Sequence, residues 1–259
     1  MRIKQSFCYP LYKPEKMTLD EFFAEAAGIG FAAVEFWRRG DDFETIIATA
    51  RKHKLVVASF TGHDSLKDGL TRRANHDRIE AELRASLDVA ERNGIPGLIC
   101  LAGSRQPFVT EQDAIETVAD GLRRVAEHAV KKGVNLNLEV LNSKIDHPGY
   151  QADHTAWGLA VVQRVNCPRV KLLYDIYHMQ IMEGDVIRTI RDTIGHIGHF
   201  HTGGVPGRSN LDDTQELNYA AISKAIAQTP YDLYIGHEFS PSGDRLAGLR
   251  QAFAACDQQ

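Results

Sequence analysis

Short β-rich runs alternate with helix-period segments eight times along this chain, and that rhythm restricts the fold more than any single motif. The strand-like runs are Ile3–Phe7, Ala32–Phe36, Leu55–Phe60, Gly97–Leu101, Val134–Val140, Val170–Asp175, Ile197–Thr202 and Leu233–Glu238. Helical periodicity lies near 18–28, 41–53, 71–93, 110–132, 153–165, 184–193, 218–228 and 243–255. A return to a parallel neighbour needs a crossover of a dozen or more residues, which a helix supplies, so the alternation predicts a parallel sheet. Eight such units in 259 residues suit a closed barrel, because these barrels run to about 250 residues. The expected fold class is therefore α/β, a single-domain (β/α)8 TIM barrel over residues 1–259. An open doubly wound sheet is the structural alternative.

Boundary signals support this register. Thr18-Leu19-Asp20-Glu21 has the spacing of a capping box. Gly28 or Gly30, Gly94 and Gly133 fall just past helical runs, where a left-handed cap suits glycine. The longest irregular stretches, Leu141–Gln151 and Gly203–Asn218, each follow a strand. In a barrel such loops lie on the C-terminal face, where active sites are built.

Composition narrows the function classes. The net charge is −4 and no basic run marks a nucleic-acid surface. No apolar stretch is long enough to cross a membrane. Met1-Arg2-Ile3-Lys4 lacks the apolar centre of a signal peptide, and Cys8, Cys100, Cys167 and Cys256 show no CxxC spacing. A reducing, cytoplasmic setting is expected.

Four consecutive strand-like runs end in a metal-ligand type: Glu139, Asp175, His201 and Glu238. Neighbouring parallel strands of a barrel place their ends side by side, so the four are expected around one point. Three carboxylates that close repel one another unless a cation lies between them. Oxygen-rich coordination with one imidazole favours Mn2+ or Mg2+, with Co2+ as an alternative, over structural zinc. Period-two alternation puts His199 on the face of His201 but deeper, and turns His237 away from Glu238, so both read as structural or supporting residues.

Other residues suit a substrate. His178, three past Asp175, lies just above the strand end, where it could donate to a substrate oxygen. Arg208, in the glycine-rich segment Gly203-Gly204-Val205-Pro206-Gly207-Arg208, offers a forked guanidinium to a carboxylate or hydroxyl. Glu35 and Lys4 are further inward candidates. Trp37, Phe7 and Tyr9 could form an apolar wall.

The stretch from Glu139 to Glu238 resembles the hydroxypyruvate isomerase family of xylose-isomerase-like barrels, which also hold ketose 3-epimerases and endonuclease IV-type enzymes. The motifs are Leu138-Glu139-Val140-Leu141-Asn142, Tyr174-Asp175-Ile176-Tyr177-His178-Met179-Gln180-Ile181-Met182-Glu183-Gly184-Asp185, Val205-Pro206-Gly207-Arg208, Glu216-Leu217-Asn218-Tyr219 and Gly236-His237-Glu238-Phe239. The N-terminal half matches more loosely, through Val34-Glu35-Phe36. The resemblance implies that Glu139 and Glu238 are catalytic carboxylates as well as metal ligands. It makes Asp175 and His201 the remaining ligands, and His178 and Arg208 substrate contacts. Histidine at 201 is the choice of the epimerases, where hydroxypyruvate isomerases often carry glutamine.

The implied activity is metal-dependent isomerisation of a small hydroxy-carbonyl compound, such as hydroxypyruvate to tartronate semialdehyde, through an enediolate. A ketose 3-epimerase and a lyase or decarboxylase of a keto-sugar acid share that chemistry. A sugar-binding barrel without catalysis is the non-enzyme alternative. A DNA-repair nuclease needs more histidine ligands and a basic groove, which net charge −4 disfavours. The expected partner is the small-molecule substrate, with no nucleic acid, no membrane and a homo-oligomer as the family's habit.

Overall fold

In the computed structural model, which describes residues 3–258, the eight strands and the main helices form within a few residues of where the pattern puts them. In chain order the elements are β1 (Lys4–Phe7), α1 (Tyr9–Tyr12), α2 (Leu19–Ile29), β2 (Ala33–Glu35), α3 (Phe43–Lys52), β3 (Val56–Thr61), α4 (His76–Asn93), β4 (Gly97–Cys100), α5 (Glu111–Lys132) and β5 (Asn135–Val140). There follow α6 (Thr155–Val165), β6 (Val170–Asp175), α7 (Ile176–Met182), α8 (Val186–Thr193), β7 (Ile197–Thr202), α9 (Tyr219–Ala227), β8 (Tyr234–His237) and α10 (Arg245–Cys256). Met1, Arg2 and Gln259, which the expected 1–259 domain includes, lie outside the described residues.

One sheet runs in the order β1-β8-β7-β6-β5-β4-β3-β2, and the registered pairs are parallel. Its two ends also meet: the Ala32 N–H donates to the Gln5 carbonyl at 3.0 Å, and Cys8 bridges Glu35 in parallel. The sheet is thereby nearly closed into a barrel, as eight strand–helix pairs suggest, and not an open doubly wound sheet.

The chain gathers into two compact units. The first runs to Phe60 and adds Asp185–Ile194 and everything from Phe200 onward. Its α2 starts at the expected capping box, in which the Glu21 N–H donates to Thr18 Oγ1 at 3.2 Å and the Thr18 N–H donates to Glu21 Oε2 at 2.9 Å. A cap of this kind stabilises a helix by about 1 kcal/mol. Gly30, not Gly28, takes the left-handed cap that ends α2. Phe7 is fully buried among Phe31, Phe22 and Phe23, with ring centroids 4.8, 5.5 and 6.4 Å away. Lys4, an inward candidate from the sequence, is instead exposed, with its ammonium over the Tyr234 ring. It shares a face with Ser6, whose hydroxyl donates to Glu35, but it is the first residue of β1, where the long side chain reaches solvent.

The second unit spans Thr61–Gly184 and Gly195–His199. Here α5 buries Ala114, Val118, Leu122, Val125 and Ala129, a stripe at three- and four-residue spacing that seats one helix face on the sheet. Strand β5 is buried along its whole length, as a strand covered on both faces must be. Gly94 and Gly133 take the expected left-handed caps of α4 and α5.

Two helices were not legible in the pattern. Four-residue α1 follows β1 directly. Seven-residue α7 follows β6 directly, so His178 stands in a first helical turn and not in a loop. The Asp175 carboxylate caps that turn, accepting the His178 N–H at 3.2 Å. Among the described residues no helix is long and apolar enough to cross a membrane.

Candidate metal centre and active site

In the first unit, parallel pairing aligns His201 with Gly236 and Thr202 with His237. Period two then turns His201, Gly236 and Glu238 to one side and His237 to the other. His237 confirms the alternation: its Nε2 lies 2.9 Å from Gln5 Oε1 and its Nδ1 2.8 Å from Thr202 Oγ1. Burial holds its pKa down at about 3, so the ring is neutral. His199, two residues before His201, is buried as well.

His201 and Glu238 are brought together, with Nδ1 2.9 Å from Glu238 Oε2. The other ring nitrogen, Nε2, lies 3.2 Å from Glu35 Oε2, and Ser6 Oγ donates to the second Glu35 oxygen. Gly236 makes this possible, because a methyl group there would overlap the Glu35 carboxylate. Glu35, a lesser candidate from sequence, is thus the group that orients His201, in the way outer carboxylates fix ligating imidazoles.

Glu238 is enclosed on its other sides. Trp37 Nε1–H donates to Oε1 at 2.5 Å and Arg208 donates to Oε2 at 2.6 Å. A second Arg208 donor, Nε, reaches the Glu238 carbonyl at 3.1 Å. Burial pushes the Glu238 pKa up, but the Arg208 guanidinium, then His201 and the Trp37 N–H, outweigh it and hold the carboxyl well below its ordinary range. Arg208 adopts a left-handed φ of 49°, which costs a non-glycine residue about 1–2 kcal/mol. The turn offsets this by using both ends of the residue, since Arg208 O accepts the Ser240 N–H at 2.9 Å.

The second unit carries the other candidates. Register sets Glu139 opposite Leu173 and Val140 opposite Tyr174, so Asp175 ends β6 one step beyond. Glu139 is 7% exposed and Asp175 fully buried. Tyr150 pins the end of β5, donating its hydroxyl to the Glu139 carbonyl at 3.1 Å while accepting the Ala102 N–H at 2.9 Å. Asp175 holds the His178 backbone through the capping bond, and its Oδ2 lies 3.5 Å from His178 Nε2. Asn142, three residues past Glu139, lies with Nδ2 2.6 Å from His178 Nδ1.

Two polar roles escaped the sequence reading. Trp37 had only an apolar part there, yet its indole N–H is spent on Glu238. An indole two residues past a strand-end Glu35 was the available signal. Asn142 stood inside a quoted motif without a role, and only the folded loop brings it to His178.

The family described as xylose isomerase-like TIM barrel matches residues 23–259. The hydroxypyruvate isomerase of Escherichia coli (strain K12) is 31% identical over 236 residues, covering 88% of this chain and 90% of that protein. The 2-oxo-tetronate isomerase of Cupriavidus necator is 35% identical over 236 residues, covering 88% and 89%. A solved structure described as AP endonuclease, family 2, from Brucella melitensis superposes with a TM-score of 0.82 at 26% identity, covering all of both chains. An L-ribulose 3-epimerase structure gives 0.80 at 23% identity, covering 98% of this chain and 92% of that one, which bears on the fold alone. This chain belongs to the xylose isomerase-like TIM barrel family, as a relative of the hydroxypyruvate and 2-oxo-tetronate isomerases.

Proposed function

We propose that this chain is an isomerase of a small hydroxy-carbonyl acid or sugar, of the hydroxypyruvate or 2-oxo-tetronate kind, that moves a proton between two glutamates. The reading treats the chain as one functional domain in a cytoplasmic setting. It takes Glu139, Asp175, His201 and Glu238 as donors to one divalent ion. The observation that carries it is that four buried ligand-type side chains stand at the ends of four strands consecutive in the sheet, β5-β6-β7-β8. The donor set fits such an ion. Buried carboxylates need compensating positive charge, and three carboxylates with one imidazole suit Mn2+ or Mg2+, with Co2+ as an alternative.

Bound there, the ion supplies positive charge that eases loss of a proton from the carbon between a carbonyl and a hydroxyl. The chain's own residues do the rest. One of Glu139 and Glu238 takes the proton, and the other carboxyl, or the first after a shift, returns one. Return to the neighbouring carbon isomerises, and return to the opposite face of the same carbon epimerises. Arg208 keeps Glu238 ionised, the state a base must have, while Trp37 and Arg208 together fix its direction. His178 donates to a substrate oxygen and the Arg208 guanidinium contacts another. Epimerisation is the second reading, favoured by the histidine at 201.

The test is turnover of hydroxypyruvate, 2-oxo-tetronates and small ketoses in D2O with added Mn2+, followed by NMR. Product carrying carbon-bound deuterium is expected, because a glutamate proton exchanges with water. Product without it would point to a hydride shift and sink the two-glutamate mechanism.

Arg208→Ala is expected to raise KM about 10-fold or more, the worth of a charge-assisted hydrogen bond. It also lowers kcat, since the same guanidinium orients Glu238. Steady-state kinetics with the true substrate checks this, and unchanged constants would remove Arg208 from the site.

A further inference from the structure

The loop after β5 and the first turn of α7 share one hydrogen-bond network around His178, which is fully buried. Its hub is Asn142. The Asn142 Oδ1 accepts two backbone donors, Ile145 N–H at 3.0 Å and Asp146 N–H at 2.9 Å. Those bonds decide which end of the amide is oxygen, a choice that side-chain shape alone leaves open. The amide nitrogen must then face the other way. There Nδ2 lies 2.6 Å from Asp146 Oδ2 and 2.6 Å from His178 Nδ1. An amide NH2 has two hydrogens, one for each acceptor. Asp146 is held in turn by the Tyr177 hydroxyl, which donates to Oδ2 at 2.8 Å.

A nitrogen that receives a hydrogen bond carries no proton of its own. His178 Nδ1 is therefore the acceptor, and the ring hydrogen sits on Nε2, on the side of Asp175 Oδ2 at 3.5 Å. We propose that Asn142 is a positioning residue that locks His178 in the Nε2–H tautomer, so that the ring offers substrate its hydrogen on Nε2. This rests on the reading above, in which His178 donates to a substrate oxygen. The ring is braced as well as polarised, with Tyr177 edge-on at 5.0 Å and His147 at 5.3 Å between centroids.

The experiment reverses the polarity of the network while keeping its shape and charge. In the double variant Asn142→Asp with Asp146→Asn, the new carboxylate still accepts both backbone N–H groups. The amide at 146 replaces the lost donor. The group facing His178 Nδ1 can now only accept, so Nδ1 must become protonated. Two-bond proton–nitrogen NMR of the Mg2+-loaded protein, with His178 assigned through His178→Gln, reads which ring nitrogen holds the hydrogen. In the wild type we expect hydrogen on Nε2 and a bare Nδ1. In the double variant we expect Nδ1 protonated and kcat/KM lower by about 10–100-fold, the usual effect of losing an outer partner of a site histidine. Asn142→Ala should give a smaller loss, with both tautomers present.

A wild-type spectrum with hydrogen on Nδ1 would overturn the proposal, as would an unchanged tautomer in the double variant. Reversal of the tautomer with kcat/KM unaltered would equally overturn it. If the double variant does not fold, the wild-type spectrum still decides the tautomer. The spectrum needs no substrate. A protein with the expected tautomer but no turnover of any candidate would refute the functional reading and leave the tautomer assignment standing.

Discussion

Glu139→Gln and Glu238→Gln are each expected to lower kcat by roughly 10²–10⁴-fold, the range for losing a general acid or base. Glutamine keeps the size of the side chain and one carbonyl oxygen, but it cannot take a proton. The two variants should differ in their side effects. At Glu238 the lost charge also releases Arg208, whose NH2 group lies 2.6 Å from the carboxylate, and removes the partner of His201 Nδ1 at 2.9 Å. Metal affinity should fall in both variants, since both glutamates are proposed ligands, and substrate affinity should fall as well at Glu238. At Glu139 the strand end stays pinned by Tyr150 through the backbone carbonyl, which the substitution leaves alone, so the fold should be unaffected. Steady-state kinetics with metal content measured in each preparation separates these effects. Two fully active glutamine variants would show that the glutamates are not the proton carriers.

Removing the metal should be as damaging. A bound divalent ion supplies several kcal/mol of charge stabilisation to proton abstraction, so exhaustive chelation is expected to cut turnover by at least roughly 10³-fold. Adding back Mn2+, Mg2+ or Co2+ should restore it. Stability gives a readout that needs no substrate. Saturation at 100 times Kd stabilises a fold by about 2.7 kcal/mol. In a chain of this size that raises Tm by roughly 5–11 °C, at about 2–4 °C per kcal/mol. A chelated protein with unchanged Tm on adding metal, and with undiminished turnover, would contradict the metal assignment.

The barrel was legible because its signal repeats. Short strand-like runs recur eight times, and α2 and α5 carry both a capped N-terminus and buried apolar positions on one face, so local sequence and global topology agree. Errors fell where that agreement is weakest. Helix α7 has seven residues, too few for a period to show, and Ile176 and Tyr177 favour strands by themselves. What starts the helix is one side-chain bond from Asp175, a residue picked from sequence for other chemistry. Lys4 shares its face with inward Ser6, but as the first residue of its strand it is exposed, with its ammonium over the Tyr234 ring. The candidate site residues stand out in sequence as ligand-type side chains at strand ends. Their supporting partners do not. The bonds from Glu35 to His201, from Trp37 to Glu238 and from Asn142 to His178 join residues 166, 201 and 36 positions apart. No local pattern encodes such pairings, and only the register of the sheet and the folding of its loops produce them.

The central claim is that Glu139, Asp175, His201 and Glu238 hold one ion in common. It is tested most directly by counting Mn2+ on the dialysed protein, with Asp175→Ala and His201→Ala as controls drawn from different strands. The account predicts about one Mn2+ per chain in the wild type, with affinity lost in both variants by at least 10–100-fold. Wild-type affinity retained in either variant, or two independent ions of which each variant removes one, would contradict it.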